Sequence, residues 1–219
     1  MFEPDSMDLA LLRREYAKGA LRRDDLFSDP ISQLQAWIEE ATNSGETDPT
    51  AMTLSTLGER GRISSRVVLL KGIDHTGLRF FTNTQSRKGR QIEAHPQVAL
   101  HFFWSSLARQ VSVEGIAQPL SREAVAGYFA QRPRDSQCGA WASSQSEPVP
   151  NRQYLEDAYF QCMERFSGAY DIPVPPDWGG YLVLPSHFEF WQGRPGRLHD
   201  RFVYKSDNLG GWGVTRLAP

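Results

Sequence analysis

Apolar residues recur at two different spacings along this chain. In residues 29–44, Ile31, Leu34, Ile38 and Ala41 lie three or four apart, behind an Asp29-Pro30 start and ahead of Asn43 and Gly45. That is the signature of a capped helix with proline in its first turn. Residues 6–18 have a shorter apolar side, Leu9, Leu12 and Tyr16, with Asp8 early, Arg13, Arg14 and Lys18 late, and Gly19 as a stop. They predict a helix lying on a surface.

From residue 51 to 118 the period changes to two. Strands are expected at 51–57, 63–73, 78–83, 98–104 and 109–117, separated by turns such as Gly58-Glu-Arg-Gly61 and Asp74-His-Thr-Gly77. Val98, Leu100, Phe102 and Trp104 share one face of their strand. A helix over 86–94, stopped by Pro96, interrupts this barrel region. Residues 121–175 read as a helical insertion with helices at 122–131 and 153–166. A C-terminal region, 180–219, carries strands at 181–184, 187–192, 201–205 and 212–217. The expectation is one domain, mainly β with peripheral helices, in a closed or nearly closed antiparallel barrel. No GxGxxG opens a helix and no GxxxxGK[ST] occurs, so any phosphate must be held by side chains and a helix end.

Composition places the chain among ordinary globular proteins: 40% hydrophobic, 23% charged, net charge −2. Its apolar runs, such as Val67-Val68-Leu69-Leu70, fall far short of the roughly 18 residues of a membrane span, and residues 1–5 lack a signal-peptide pattern, so a cytoplasmic protein without membrane contact is expected. Cys138 and Cys162 form no metal-binding spacing and read as reduced, structural thiols. The near-neutral total conceals an asymmetry. Residues 60–90 hold eight basic side chains and one acid, while the rest carries sixteen basic and twenty-five acidic residues. Such a molecule repels a polyanion and suits a small phosphorylated ligand better than nucleic acid.

Four segments can carry chemistry. In Arg66-Val-Val-Leu-Leu-Lys71 a two-residue period sends the two charges to opposite faces, to serve different ligands or two ends of one. Thr82-Asn-Thr-Gln-Ser86-Arg87-Lys88 ends a strand and opens a helix, placing two cations where a helix dipole disfavours them unless an anion compensates; an ordinary serine cap is the alternative. Tyr128, Arg132, Arg134 and Ser136 surround a proline-stiffened turn with donors suited to phosphate oxygens, or form only a helix end. Arg197, His199 and Arg201 alternate on one face of an extended segment, where three potential cations need something negative or π-rich against them.

Together these stretches resemble the pyridoxine/pyridoxamine 5′-phosphate oxidase family. The match runs through Leu12-Arg-Arg-Glu-Tyr16, Asp48-Pro-Thr-Ala-Met52, Arg66-Val-Val-Leu-Leu-Lys71, Phe81-Thr-Asn83, Ser86-Arg-Lys88, Arg109-Gln110-Val111, Arg132-Pro-Arg-Asp-Ser136, Phe190-Trp-Gln-Gly193, Arg197-Leu-His-Asp-Arg-Phe202 and Arg216-Leu-Ala-Pro219, in family order. Residues 143–175 match less distinctly and the first eight not at all.

The resemblance implies an FMN-binding split barrel and a homodimer with FMN at the subunit interface. It also implies oxidation of pyridoxine or pyridoxamine 5′-phosphate by hydride transfer from C4′ to flavin N5, with O2 as the final acceptor. It assigns Arg66, Thr82, Ser86, Arg87 and Lys88 to the FMN phosphate end. Val67, Val68, Leu69, Leu70, Lys71, Phe81, Gln110, Trp191 and Arg201 go around the flavin, with Gln145 and Ser146 reaching it from one subunit while others come from its partner. Lys71, Tyr128, Arg132 and Ser136 would take the substrate phosphate, Arg197 and His199 would lie against its ring as the catalytic pair, and Arg13 with Tyr16 would close the site. No metal is implied. Arg22, Arg23 and Arg216 remain either a further anion site for product feedback or a solvated basic patch.

Overall fold

The computed structural model describes residues 19–207 and 210–219. The expected lid helix, with Arg13 and Tyr16, lies outside them. Helix α1 (Pro30–Asn43) starts as its sequence requires: the Asp29 carboxylate accepts from the Ile31 and Ser32 N–H groups and proline fills the first turn. Its apolar stripe, Ile31, Leu34, Trp37 and Ala41, is buried. Full burial of a side chain such as Leu34 contributes about 2 kcal/mol.

The strands follow in order: β1 (Ala51–Leu57), β2 (Ile63–Leu69), β3 (Gly72–Asp74) and β4 (Gly77–Asn83). Helix α2 (Arg87–Ala94) comes next, then β5 (Gln97–Trp104) and β6 (Arg109–Pro119). Three helices, α3 (Arg122–Ala130), α4 (Arg134–Ala142) and α5 (Arg152–Arg165), precede β7 (Trp178–Gln192), β8 (Asp200–Ser206) and β9 (Trp212–Leu217). The alternation in β5 is realised in full: Val98, Leu100, Phe102 and Trp104 are all buried.

Among the described residues, nine strands form one antiparallel sheet in the order β2-β1-β5-β6-β7-β4-β3, with β8 on β7 and β9 on β8. Strand β7 is long enough to pair β6 along one side and, on the other, β4 with its first half and β8 with its second. A register shift at Glu114/Gly115 breaks the β6–β7 ladder between those halves, as a bulge does where a strand bends. The sheet curls around a core of Leu54, Phe80, Leu100, Phe102, Val111, Phe188, Phe190 and their neighbours.

Three expectations change. Residues 63–73 do not form one strand: β2 stops at Leu69 and Lys71 begins the pairing to Arg79, so β2 becomes a free edge. Residues 181–192 form one bent strand instead of two, and a helix that was not expected, α4, follows the turn at Arg132 and Pro133. The split barrel itself is as the resemblance implies: β2 and β3 lie at opposite ends of the strand path, and the seam runs between β2 and β4. Among the described residues no helix is long and apolar enough to cross a membrane.

Candidate active site

The seam holds a cavity of about 830 Å³. Strand β2 contributes Arg66, Val67, Val68 and Leu69; β4 and α2 contribute Phe81, Thr82, Arg87 and Lys88; α3, α4 and the loops beside them contribute Tyr128, Arg132, Ser136, Gln145 and Ser146. Lys71 also lines it. Arg66 and Lys71 therefore share one cavity although they alternate along the chain, because the cavity wraps over the free edge where β2 ends. Leu70 is buried in the core beside it.

Five cations line this space and, among the described residues, no acid does. Lys88 is buried, and its Nζ donates to Gln145 Oε1 at 2.7 Å, Thr82 Oγ1 at 3.1 Å and Ser86 Oγ at 3.2 Å. Burial, reinforced by the Arg66 charge, pulls its pKa down to about 8. Arg66 is pulled down too, by burial and by Arg87. Ser86 caps α2 by accepting from the Gly89 N–H. The Arg87 N–H donates to Ser146 Oγ at 3.2 Å, and Ser146 holds a left-handed backbone, φ 77°.

At the other end, Phe81, Tyr128 and Trp178 form a cluster of near-parallel rings, with Phe81 4.0 Å from Tyr128 and 5.5 Å from Trp178 between ring centres and those two 6.1 Å apart. The Arg132 guanidinium lies 4.9 Å over the Trp178 ring, and its Nη1 is buried without a hydrogen-bond partner. Burial lowers the Arg132 pKa, Tyr128 opposing, and raises that of Tyr128, Arg132 opposing. A buried guanidinium nitrogen with nothing to bond is costly unless a ligand completes it. Arg134, by contrast, turns away to donate to the Phe166 and Ala169 carbonyls. Of that segment's two arginines, only Arg132 serves the cavity.

The remaining predicted residues assemble elsewhere. Gln110, Trp191 and Arg201 sit side by side in register across β6, β7 and β8. Arg201 makes a two-pronged ion pair with Glu189 at 2.8 and 3.0 Å, which keeps it more firmly protonated. His199 packs on Trp191 with ring centres 4.6 Å apart, and its Nδ1 accepts the Arg194 N–H at 3.0 Å, which leaves the neutral ring's proton on Nε2. Burial and the Arg197 charge lower the His199 pKa. Arg197 is exposed and left-handed, φ 64°. None of these five lines the cavity.

Next to them, Asp200 accepts from the Leu21 N–H at 3.0 Å and from Arg216 at 2.8 Å. Burial raises this carboxyl, but those bonds outweigh it and hold it below its ordinary range. Arg216 donates to Asp200, and Arg23 donates to the Val214 carbonyl. Sequence reasoning passed over Trp178, Glu189 and the set Thr56, Ser64 and Gln91 that surrounds Arg66. The spacing of Gln91, one helical turn after Lys88, was a usable signal; the pairing of Thr56 opposite Ser64 was not, because it depends on register.

Comparison with known proteins decides the family. Residues 38–163 match a family described as pyridoxamine 5′-phosphate oxidase, and residues 178–219 match the pyridoxine 5′-phosphate oxidase C-terminal dimerisation region. The chain belongs to the pyridoxine/pyridoxamine 5′-phosphate oxidase family. Oxidases of that name from Shewanella sp. (strain W3-18-1) and Rubrobacter xylanophilus are 50% and 51% identical to it over 212 residues, 97% of this chain and 99% and 97% of theirs.

In structure the oxidase resembles PhzG from Burkholderia lata 383, solved with tetrahydrophenazine-1-carboxylic acid. The TM-score is 0.86 at 30% identity, over 93% of this chain and all of that one. An FMN-binding, pyridoxamine 5′-phosphate oxidase-related protein from Nostoc punctiforme shares the fold, with a TM-score of 0.70 at 17% identity over 89% of this chain and all of its own. The family's cofactor is FMN, and the cavity fits it: an acid-free cluster of crowded cations at one end suits a phosphate, and a free strand edge with stacked aromatics suits a planar ring.

Proposed function

We propose that this oxidase converts pyridoxine 5′-phosphate and pyridoxamine 5′-phosphate to pyridoxal 5′-phosphate, in vitamin B6 salvage, as a homodimer whose two flavin sites each draw on both copies of the chain. FMN, when bound, supplies the redox chemistry: it takes a hydride from the substrate's C4′ at N5 and passes the electrons to O2, giving hydrogen peroxide.

Arg66, Arg87 and Lys88, with Thr82 and Ser86, hold the cofactor's phosphate, and the edge of β2 from Val67 to Leu69, with Leu70 just beyond it, lies along the ring system with Phe81. Gln145 and Ser146 close over it from the same chain, and Gln110, Trp191 and Arg201 come from the second copy. Lys71, Tyr128, Arg132 and Ser136 bind the substrate phosphate. That second phosphate cradle separates this reading from split-barrel flavin reductases, which have no use for it. Arg197 and His199, also from the second copy, orient C4′ and stabilise charge developing there. His199 serves as an Nε2–H donor, and Arg197 contributes a planar array of donors.

The observation that carries this reading is the pairing, in one acid-free cavity, of a crowded cation cluster at one end with the unpartnered Arg132 Nη1 at the other. The test is the visible spectrum of the purified protein together with oxygen consumption on each substrate. A flavin spectrum and pyridoxal phosphate formation are expected; a protein that retains FMN yet turns over neither substrate would refute the assignment.

A further inference from the structure

Arg66 is held from behind by four acceptors. Its Nη1 donates to the Leu54 carbonyl at 3.0 Å and to Thr56 Oγ1 at 2.7 Å; its Nη2 donates to Ser64 Oγ at 2.7 Å and to Gln91 Oε1 at 3.4 Å. A guanidinium has four such Nη hydrogens, so these contacts occupy all of them and leave Nε–H as its remaining donor. The two hydroxyls are themselves directed. Thr56 Oγ1 lies 2.6 Å and Ser64 Oγ 2.8 Å from Gln91 Oε1. Each hydroxyl has a single hydrogen and accepts from Arg66 with its oxygen, so each spends that hydrogen on Gln91.

One carbonyl oxygen thus orients both hydroxyls and bonds the guanidinium. Only the oxygen can fill this position, since an amide NH2 there would face the guanidinium donors. The fold makes room for it: a Cβ on Gly58 would come within 2.5 Å of the Gln91 amide nitrogen. Helix spacing places Gln91 three residues after Lys88, so α2 supplies one phosphate cation directly and steadies the other.

We propose that Gln91 is the positioning residue that sets Arg66 toward the flavin phosphate, and that it thereby determines the preference for FMN over unphosphorylated riboflavin. This rests on the reading of Arg66 as a phosphate ligand. Without the Gln91 oxygen, Thr56 has only the Ser64 carbonyl at 3.5 Å as another acceptor, and the guanidinium loses its fixed seat.

The test compares dissociation constants of FMN and riboflavin for full-length wild type, Gln91→Leu, Gln91→Glu, Arg66→Met and the Arg66→Met/Gln91→Leu double variant. Gln91→Leu is expected to weaken FMN about tenfold and leave riboflavin within about twofold. Gln91→Glu fills the same volume but pairs its charge with Arg66, and is expected to weaken FMN further. In the Arg66→Met background, Gln91→Leu should add nothing, since its effect runs through Arg66.

Equal weakening of both flavins by the Gln91 variants, an unchanged ratio, or additive losses in the double variant would each overturn the proposal. If Arg66→Met itself leaves the preference intact, the phosphate assignment of Arg66 is what fails. If Arg66→Met abolishes it while both Gln91 variants keep it, only the role of Gln91 fails.

Discussion

With the FMN phosphate at Lys88, as proposed, FMN binding depends on pH in a definite direction. Burial and Arg66 depress the Lys88 pKa from the ordinary 10.5 to about 8, while a phosphate beside it, doubly charged above its second pKa of about 6, favours the protonated amine. Binding is therefore strongest below about pH 8 and weakens above it, because the flavin-free protein must first regain a proton. Near pH 9.5 only about 3% of flavin-free molecules carry that proton, so the FMN dissociation constant should rise about 30-fold from its value near pH 7, or about 2 kcal/mol. Titration of the full-length, flavin-free protein by fluorescence quenching measures this. Dividing by the riboflavin constant at each pH removes any titration of the ring. Lys88→Arg should abolish the slope, since arginine stays charged throughout, and Arg66→Met should move its onset to higher pH by removing the neighbouring cation. A flat wild-type ratio, or an unchanged slope in Lys88→Arg, would refute the argument.

Other outcomes follow from the same geometry. Arg132→Met should raise KM for pyridoxine 5′-phosphate by about 30-fold without loss of FMN or of thermal stability, because it removes a guanidinium whose buried Nη1 has no hydrogen-bond partner in the protein. Steady-state kinetics and a melting curve check both halves. Arg197→Met and His199→Asn should each lower kcat/KM by about 10²-fold while the purified protein stays yellow; a colourless product would move them to the cofactor. Gly89→Ala should cost about 2 kcal/mol or more in urea unfolding and weaken FMN binding, since the new Cβ would meet the Thr84 carbonyl oxygen at 2.0 Å and push the first turn of α2 outward.

Local patterns made much of this fold legible. The α1 start rests on Asp29 and Pro30, adjacent in sequence, and the β5 core face on a strict alternation that burial reproduces. What escaped depended on partners distant in the chain. Residues 63–73 read as one strand because both halves alternate, yet the break at Leu70 is imposed by pairing to different neighbours, β1 before it and β4 after it. Arg66 and Lys71 were assigned opposite faces by the same alternation, and only the strand's free edge brings them to one cavity. At the site, dipole physics alone marked Ser86, Arg87 and Lys88 as a helix start that would suit an anion, and the structure brings them to the cavity's cation cluster or beside it. Gln91 offered only its helical spacing from Lys88; its contacts with Thr56, Ser64 and Arg66 exist only when β1, β2 and α2 are brought together.

Strand β7 carries Trp178 into the cavity at its first residue and Trp191 into the outer row thirteen residues later, a strand path on the order of 40 Å. If each working centre joins one chain's cavity to the other chain's outer row, damage to the two regions is not equivalent when it is shared between chains. Chains carrying Lys88→Ala and chains carrying His199→Asn would each be defective alone. In a hybrid pair, both lesions fall into one centre and the other is wholly native. Refolding the two variants together in equal amounts makes half the pairs hybrid, so about a quarter of native activity should return from two crippled parents.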